Sequence, residues 1–343
     1  MDLQSFYYFQ EISKDLNITK TASRLFISQQ TLSNHVKRLE EYFDTPLLYR
    51  KPKLSLTYAG EFVLSFSNYI ANKERNLNDV IRDIKNTEKG LIRMGASVMR
   101  TNLVLPHILD VFSNNYPKVE LRISNNNSQE LINDTLEGTL DLAIVLLYQD
   151  EEKHSERELN YIPLIDEEIY LCVTDRILRK YYGDDVDELK AASKSGADLA
   201  NFSRLPFCML NNQMGKTVDL CFEAAGFTPI VHTVSSNMQV TSTFGTRGLA
   251  ACFVSKTSLL SSASDFSSKD LNFFPLLLND KKLHQTCYLI HRKDRYLSQY
   301  TKHFADLIVK LFAYISAVPT EKILKPDILN GLNEYLHNIN TKE

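Results

Sequence analysis

The first sixty residues constrain the fold most, because three short helical patterns are followed directly by a basic hairpin. Apolar residues at helical spacing predict helices over about 3–14, after Thr19, and over about 28–43. Two short strands are predicted over 47–56, on either side of a basic tip. This order predicts a winged helix-turn-helix, all-α apart from its β-hairpin wing.

The outward face of the third predicted helix carries side chains that can recognise DNA bases. Amide side chains can form paired hydrogen bonds with adenine, and Arg or Lys can reach guanine or phosphate. With Leu32 pointed inward, the outward or flanking residues are Gln30, Ser33, Asn34, Lys37 and Arg38. An ordinary solvated helix face is the alternative. The basic tip at Arg50, Lys51 and Lys53 favours DNA, because a wing can contact phosphates or the minor groove while the helix occupies the major groove.

The charge distribution points the same way, although the charge of the whole chain does not. The formal net charge is -3, which by itself does not suggest a nucleic-acid partner. Residues 20–58, however, contain seven basic and three acidic side chains. A basic segment is most often only solvated surface, so this asymmetry is weak evidence without a structure.

This N-terminal region resembles the LysR-type transcriptional regulators. Four ordered blocks carry the resemblance: ASRLFISQQTLS at 22–33, RLE at 38–40, PLLYR at 46–50 and LTYAG at 56–60. Gln30 and Asn34 stand where family members commonly have proline and arginine, so the family's base preference is not carried over. The predicted DNA-binding residues are Ser28, Gln29, Gln30, Thr31, Ser33, Asn34, Lys37, Arg38, Arg50, Lys51 and Lys53.

A long linker helix is predicted after the wing, because residues 57–89 contain no proline and repeat apolar residues every seven positions. The predicted dimerisation residues are Val63, Phe66, Ile70, Leu77, Val80 and Ile84. Lys73 interrupts this stripe, which can fix register and partner number. The alternative is an amphipathic helix packed on its own domain. The family resemblance implies an antiparallel dimer of linkers, and a homodimer or homotetramer overall.

Beyond Gly90, strands and helices alternate, which predicts an α/β fold in two lobes. The predicted domains are 1–57 for DNA binding, 58–89 for the linker, 90–165 with 269–318 for lobe I, 166–268 for lobe II, and 319–343 as an extension. The arrangement is similar to the family's effector domain and to periplasmic solute-binding proteins. Residues 181–202 are expected to be an insertion in lobe II. Leu324, Ile328, Leu332 and Leu336 suggest an added helix in the extension.

A small, anionic effector is expected between the lobes, where strand ends and helix N-termini offer free N–H groups. The predicted effector-binding residues are Ser97, Arg100, Thr101, Asn126, Ser128, Ser235, Asn237 and Arg247. For the polar residues, simple helix capping is at least an equal alternative. For Arg247 and Arg100, a solvated surface arginine is the alternative.

Catalytic and metal sites are not expected. Gly215-Lys216-Thr217 fails as a phosphate-binding loop because Leu210 occupies the position of the required glycine. No cofactor is predicted beyond the effector. The alternative function is a thiol-redox regulator that uses Cys208 and Cys221, since some LysR-type regulators sense peroxide through two cysteines. The absence of a signal-peptide pattern and of an apolar span favours a cytoplasmic protein with no membrane partner. The expected partners are double-stranded DNA, the effector, further copies of the chain and RNA polymerase.

Overall fold

The computed structural model describes residues 2–85, 89–148, 155–261, 270–319, 331 and 334–336. The chain divides into two compact units. The first comprises residues 1–87 with the short segments 137–139 and 295–298, and the second comprises the remainder.

The first unit contains the predicted helix-turn-helix and wing. Its elements are α1 (Leu3–Asp15), α2 (Ile18–Arg24), α3 (Gln29–Phe43), β1 (Leu48–Tyr49), β2 (Ser55–Leu56) and α4 (Tyr58–Ile84). Asp2, Ser28 and Thr57 cap α1, α3 and α4 through their side-chain oxygens. The second helix is capped by Asn17 and not by Thr19, because the Asn17 side chain accepts the N–H of Lys20 at 2.9 Å.

The core of the first unit fixes the orientation of α3. Leu32, Val36 and Leu39 are buried against Phe6 and Phe9 of α1. The start of α4 lies so close to the wing that a Cβ at Gly60 would overlap the carbonyl oxygen of Leu47. Glycine is therefore required where the LTYAG block ends.

The second unit is built from two α/β lobes. Its strands are β3 (Gly90–Ala96), β4 (Val119–Asn125), β5 (Leu142–Tyr148), β6 (Leu159–Thr174), β7 (Pro206–Leu210), β8 (Ile230–Ser235), β9 (Cys252–Ser255), β10 (Leu271–Pro275), β11 (Leu277–Leu278), β12 (Lys281–Lys282) and β13 (His284–Arg292). Its helices are α5 (Val98–Asn115), α6 (Ser128–Glu137), α7 (Asp175–Tyr182), α8 (Val186–Ser193), α9 (Gln213–Ala225), α10 (Met238–Thr246), α11 (Lys256–Ser261) and α12 (Gln299–Ala317).

The long strand β6 belongs to both lobes. Residues 159–168 of β6 pair with β13, which also pairs with β5, and β3 lies between β5 and β4 in the same sheet. Residues 169–174 of β6 pair instead with β9 and β10. The parallel pair β7 and β8 joins β9 through a bridge between Phe207 and Ala251.

The return of the chain to lobe I occurs later than the sequence predicts. The expected boundary at 269 is wrong, because β10 pairs with the lobe II half of β6 and because Phe274, Leu276 and Leu283 lie in the lobe II core. The chain rejoins lobe I with β13. The expected insertion at 181–202 contains α8, and its Val186, Leu199 and Phe202 are buried in the same core. Leu324, Ile328 and Leu332 of the predicted final helix lie outside the described residues; Leu336 is described and is buried.

Candidate functional site

The polar face of α3 is exposed along its whole length. Gln29, Gln30, Thr31, Asn34, Lys37 and Arg38 are exposed, and Ser33 is half-buried. Ser28 accepts the N–H of Thr31 at 3.0 Å, so its hydroxyl caps the helix. The amide of Gln30 donates to Asn34 Oδ1 at 3.2 Å, and the two side chains form one polar surface. This surface is rigidly presented because the opposite side of α3 is packed in the core.

The wing adds positive charge. Arg50, Lys51 and Lys53 are all exposed at the tip between β1 and β2. Arg50 pairs with Glu40 at 3.3 Å, and Glu40 also accepts the N–H of Leu47 at 3.0 Å, which holds the base of the wing against α3. Lys51 and Lys53 have no ion-pair partner within the described part of the chain, so their charges are available to an external anion.

Five of the seven basic residues counted in the sequence have an ion-pair partner within the chain, and they are Lys20, Arg24, Lys37, Arg38 and Arg50. Lys20 pairs with Asp15 at 2.9 Å, and Arg24 pairs with both Asp15 and Glu11. Hydrogen bonds from Lys20 and then Arg24 lower the pKa of Asp15 to about 2, so this carboxylate stays charged. Of these seven basic residues, Lys51 and Lys53 at the wing tip are therefore the two without an ion-pair partner among the described residues.

The apolar surface of α4 differs from the predicted heptad stripe. Val63 is buried in the core of its own unit and Ile70 packs against that core, so neither side chain is available to a partner. The helix carries two adjacent apolar stripes, one packed in the core of the first unit and one exposed. The predicted heptad pattern contained residues of both. The exposed residues, called here the outer stripe, are Tyr58, Phe62, Phe66, Tyr69, Leu77, Ile81 and Ile84. Of the predicted dimerisation residues, Phe66, Leu77 and Ile84 belong to it, whereas Val80 is half-buried.

In lobe I, the predicted effector residues lie at the carboxyl ends of parallel strands. Ser97 follows β3 and caps α5, and Thr101 accepts a hydrogen bond from Asn125 at 2.8 Å. Ser128 accepts the N–H of Leu146 at 3.0 Å, which ties α6 to β5. Asn126 is exposed, but Asn127 is the residue that caps α6, since its side chain accepts the N–H of Glu130 at 3.0 Å.

In lobe II, the corresponding strand ends are those of β7 and β8. Asn237 caps α10, and the hydroxyl of Ser235 accepts the N–H of Asn237 at 3.1 Å. Asn212, which caps α9 beside them, was missed, although its position directly before a helical pattern was a usable signal. Arg247 follows the last residue of α10. It therefore lies about 15 Å from Asn237 along the helix axis, and the structure does not bring the two together.

Arg100 is buried, so the alternative that it is a solvated surface arginine is wrong, whereas its predicted contact with the effector stays a prediction. It is 4% exposed, and its Nη2 lies 3.5 Å from Glu167 Oε1. Glu167 also accepts the N–H of Thr257 at 2.8 Å and the amide of Gln285 at 2.9 Å. We call these four residues the Glu167 cluster. It lies where β6 changes partners from β13 to β9 and β10.

The two cysteines of the redox alternative are poorly suited to reaction. Burial raises the pKa of Cys208 to about 11 and that of Cys221 to about 12. Both thiols are therefore protonated near neutral pH, whereas the thiolate is the reactive form. Cys221 lies on α9 and Cys208 on β7, each within the lobe II core or beside it.

Two further features concern the described residues. None of their helices is both long and apolar enough to cross a membrane. Among the same residues, no cluster of three or more His, Cys, Asp or Glu side chains is placed to hold a metal ion.

Known proteins were compared with the chain by sequence and by structure. A family model described as the LysR substrate binding domain matches residues 85–313, and one described as bacterial regulatory helix-turn-helix protein, lysR family, matches residues 3–61. A probable RuBisCO transcriptional regulator of Trieres chinensis is 27% identical over 263 residues, which are 75% of this chain and 81% of that protein. The regulator YcgK of Bacillus subtilis, itself uncharacterized, is 25% identical over 262 residues, which are 73% of this chain and 78% of that protein.

Solved structures share the fold. A full-length OxyR variant from Pseudomonas aeruginosa matches with a TM-score of 0.64 at 18% identity, covering 93% of this chain and 96% of that one. Full-length CbnR complexed with its target DNA matches with a TM-score of 0.54 at 18% identity, covering 90% and 99%. Since the substrate-binding model alone matches more than half of the sequence, the chain belongs to the LysR family, as a DNA-binding transcriptional regulator with a substrate-binding domain.

Proposed function

We propose that the exposed face of α3 contacts base edges in the major groove while the wing tip binds the phosphate backbone. The observation that carries this proposal is the exposure of Gln30 and Asn34 on a helix whose opposite side is locked in the core. Amide side chains can discriminate adenine, whereas the unpaired charges of Lys51 and Lys53 suit phosphates of any sequence. In this proposal the chain acts by binding, not by catalysis, and it does so in the cytoplasm.

The two roles predict different mutant behaviour. Asn34→Ala should weaken binding to the cognate duplex by about 1–3 kcal/mol and change binding to a random duplex little, because a base-specific hydrogen bond is lost. Lys53→Ala should weaken binding to both duplexes. It should also reduce the slope of log affinity against log salt by about one, because one phosphate contact is lost.

Binding titrations at several salt concentrations test this, with a cognate duplex selected from bound promoter fragments. Lys194→Ala provides a matched control, since it removes an exposed lysine from the second unit. Its salt slope should equal that of the wild type. An equal loss of cognate and random binding by Asn34→Ala would show that the α3 face does not contact bases.

The second part of the proposal is a small anionic effector held at the carboxyl ends of the parallel strands. Four helices begin there, α5 and α6 in lobe I and α9 and α10 in lobe II. Helix N-termini present backbone N–H groups and a positive dipole end, which favour carboxylates or phosphates. The caps of these helices are Ser97, Asn127, Asn212 and Asn237.

Thermal-shift screening of the full chain with small carboxylates, each paired with its neutral amide, tests the charge preference. We expect the carboxylate of a binding pair to stabilise the chain and its amide to have little effect. Calorimetry with that carboxylate then tests the location, since a Ser97→Ala, Ser235→Ala double variant should bind it more weakly. Full affinity in the double variant would place the effector elsewhere.

A further inference from the structure

Phe26 is the most exposed large apolar side chain in the described part of the chain. It is 95% exposed, whereas the next most exposed, Tyr58 and Ile84, are each 76% exposed. Its neighbours Leu25 and Ile27 are only partly accessible, and Ile27 packs against the core of the first unit. The exposure of Phe26 therefore belongs to this one side chain and not to the whole turn.

The backbone holds Phe26 in a conformation that disfavours a large side chain. The N–H of Ile27 donates to the carbonyl of Ala22 at 3.1 Å, and the N–H of Phe26 donates to the carbonyl of Ser23 at 3.3 Å. These bonds form a Schellman helix end, in which the left-handed residue is usually glycine. Phe26 occupies that position with φ of +55°. An aromatic residue here incurs both backbone strain and exposure to water, and a ring that is 95% exposed gains little packing to offset either.

The position of Phe26 indicates what covers it. It precedes Gln29, the first residue of α3, by three residues, a span of at most about 11 Å. The first turn of α3 carries no acidic side chain that would repel phosphate. A ring anchored at this distance from the base-contacting face of α3 can reach the edge of the major groove. There the 5-methyl group of thymine is the apolar feature that phenylalanine can contact.

We propose that Phe26 is a specificity-determining residue that packs against the 5-methyl group of a thymine in the operator. This inference rests on the proposed docking of α3 in the major groove. The fixed turn holds the ring in place before DNA arrives, so little freedom is lost on binding. Apolar contact with the methyl group adds thymine recognition beside the amide contacts of Gln30 and Asn34.

The test compares the wild-type chain with Phe26→Asn and Phe26→Leu on the cognate duplex and on copies in which single thymines are replaced by deoxyuridine. Deoxyuridine differs from thymidine only in lacking the 5-methyl group. Loss of this methyl group should weaken wild-type binding about fourfold at one or two positions. Phe26→Asn should bind the cognate duplex about tenfold more weakly and should be insensitive to deoxyuridine at those positions. Phe26→Leu, which keeps an apolar side chain, should retain part of the sensitivity.

The melting temperature of Phe26→Asn provides the control for folding, because asparagine tolerates a left-handed backbone conformation better than phenylalanine does. Phe26→Asn should therefore melt at or above the wild-type temperature. Unchanged cognate affinity, or an unchanged pattern of deoxyuridine sensitivity, in Phe26→Asn would overturn the proposal. If Phe26→Asn gave such a result while Asn34→Ala still lost affinity for the cognate duplex only, the docking of α3 in the major groove would stand. Only the proposed role of Phe26 would then be rejected. Unchanged DNA binding with lost transcriptional activity would assign Phe26 to a protein partner instead.

Discussion

The exposed face of α3 and the Glu167 cluster both gather polar side chains, but they do so in opposite environments. The α3 face comes from a single helix, and its side chains are solvated until DNA displaces the water. The Glu167 cluster comes from four elements, α5, β6, α11 and β13, and its members are buried. Polar groups of the first kind can contribute free energy to binding, whereas those of the second kind are committed to the fold.

We therefore expect substitutions on the α3 face to change DNA affinity and substitutions in the Glu167 cluster to change the free energy of unfolding. The largest effect is expected at Glu167. Glu167→Ala should reduce the free energy of unfolding of the second unit by about 3–5 kcal/mol, because Arg100 would remain buried without its counter-ion. The donors of Thr257 and Gln285 would also lose their acceptor. Urea unfolding followed by circular dichroism measures this loss.

Glu168→Ala is the matched control for that experiment. Glu168 is the next residue on β6, and it pairs with Lys282 at 2.8 Å near the surface. Its other carboxylate oxygen accepts the hydroxyl of Tyr170 at 2.8 Å, so Glu168→Ala removes one partly exposed ion pair and one hydrogen bond, and we expect a loss of about 1–2 kcal/mol. Equal losses for the two variants would mean that the Glu167 cluster does not hold the lobes' shared strand in place.

The outer stripe of α4 offers the next largest effect, since its apolar side chains are exposed, although Phe66 also packs edge-on against Phe6 of α1. Leu77 is 58% exposed, so Leu77→Asp should leave the fold of the chain intact. In an oligomer formed through this stripe, the same change buries a carboxylate. The dissociation constant of the dimer should rise at least about a hundredfold. Sedimentation velocity of the full chain measures this change.

Asn78→Asp introduces the same charge one residue away, at an exposed position off the outer stripe. It should sediment as the wild type does. A dimer of unchanged strength in Leu77→Asp would remove the outer stripe from the interface, and loss of the dimer in both variants would indicate a general charge effect.

The sequence predicted the first unit more completely than the second for a physical reason. Helical spacing, caps and the wing are local patterns, so Leu32, Asn34 and Lys53 could be assigned to faces and tips from nearby residues alone. The two stripes of α4 could not be separated from local patterns alone. Val63 and Phe66 share one heptad pattern, and only packing against α1 decides which of them is buried.

In the second unit, the missed features depend on contacts between distant residues. Glu167 stands in a strand whose neighbours give no sign that Arg100 and Gln285 converge on it. The pairing of β10 with the lobe II half of β6 was missed for the same reason, because no local sequence pattern determines the order of strands in a sheet. Ser97 and Asn237 were predicted to bind the effector, with helix capping as the alternative, and both do cap helices; this alternative could be stated from the sequence because capping is local.

The smallest expected effect lies at the N-terminus of α3, where Ser28 is a predicted DNA-binding residue that also caps the helix. Ser28 caps the helix by accepting the N–H of Thr31 at 3.0 Å, whereas Gln30 is bonded only to Asn34. Ser28→Ala should therefore lower the free energy of unfolding of the first unit by about 1 kcal/mol, and Gln30→Ala should change it by less than about 0.5 kcal/mol. Thermal unfolding of the two variants, with cognate-duplex binding measured in parallel, separates the roles. Gln30→Ala should lose affinity at nearly full stability, whereas Ser28→Ala should lose stability. If Gln30→Ala destabilised the unit as much as Ser28→Ala, the contrast between solvated and committed polar groups would fail within a single helix.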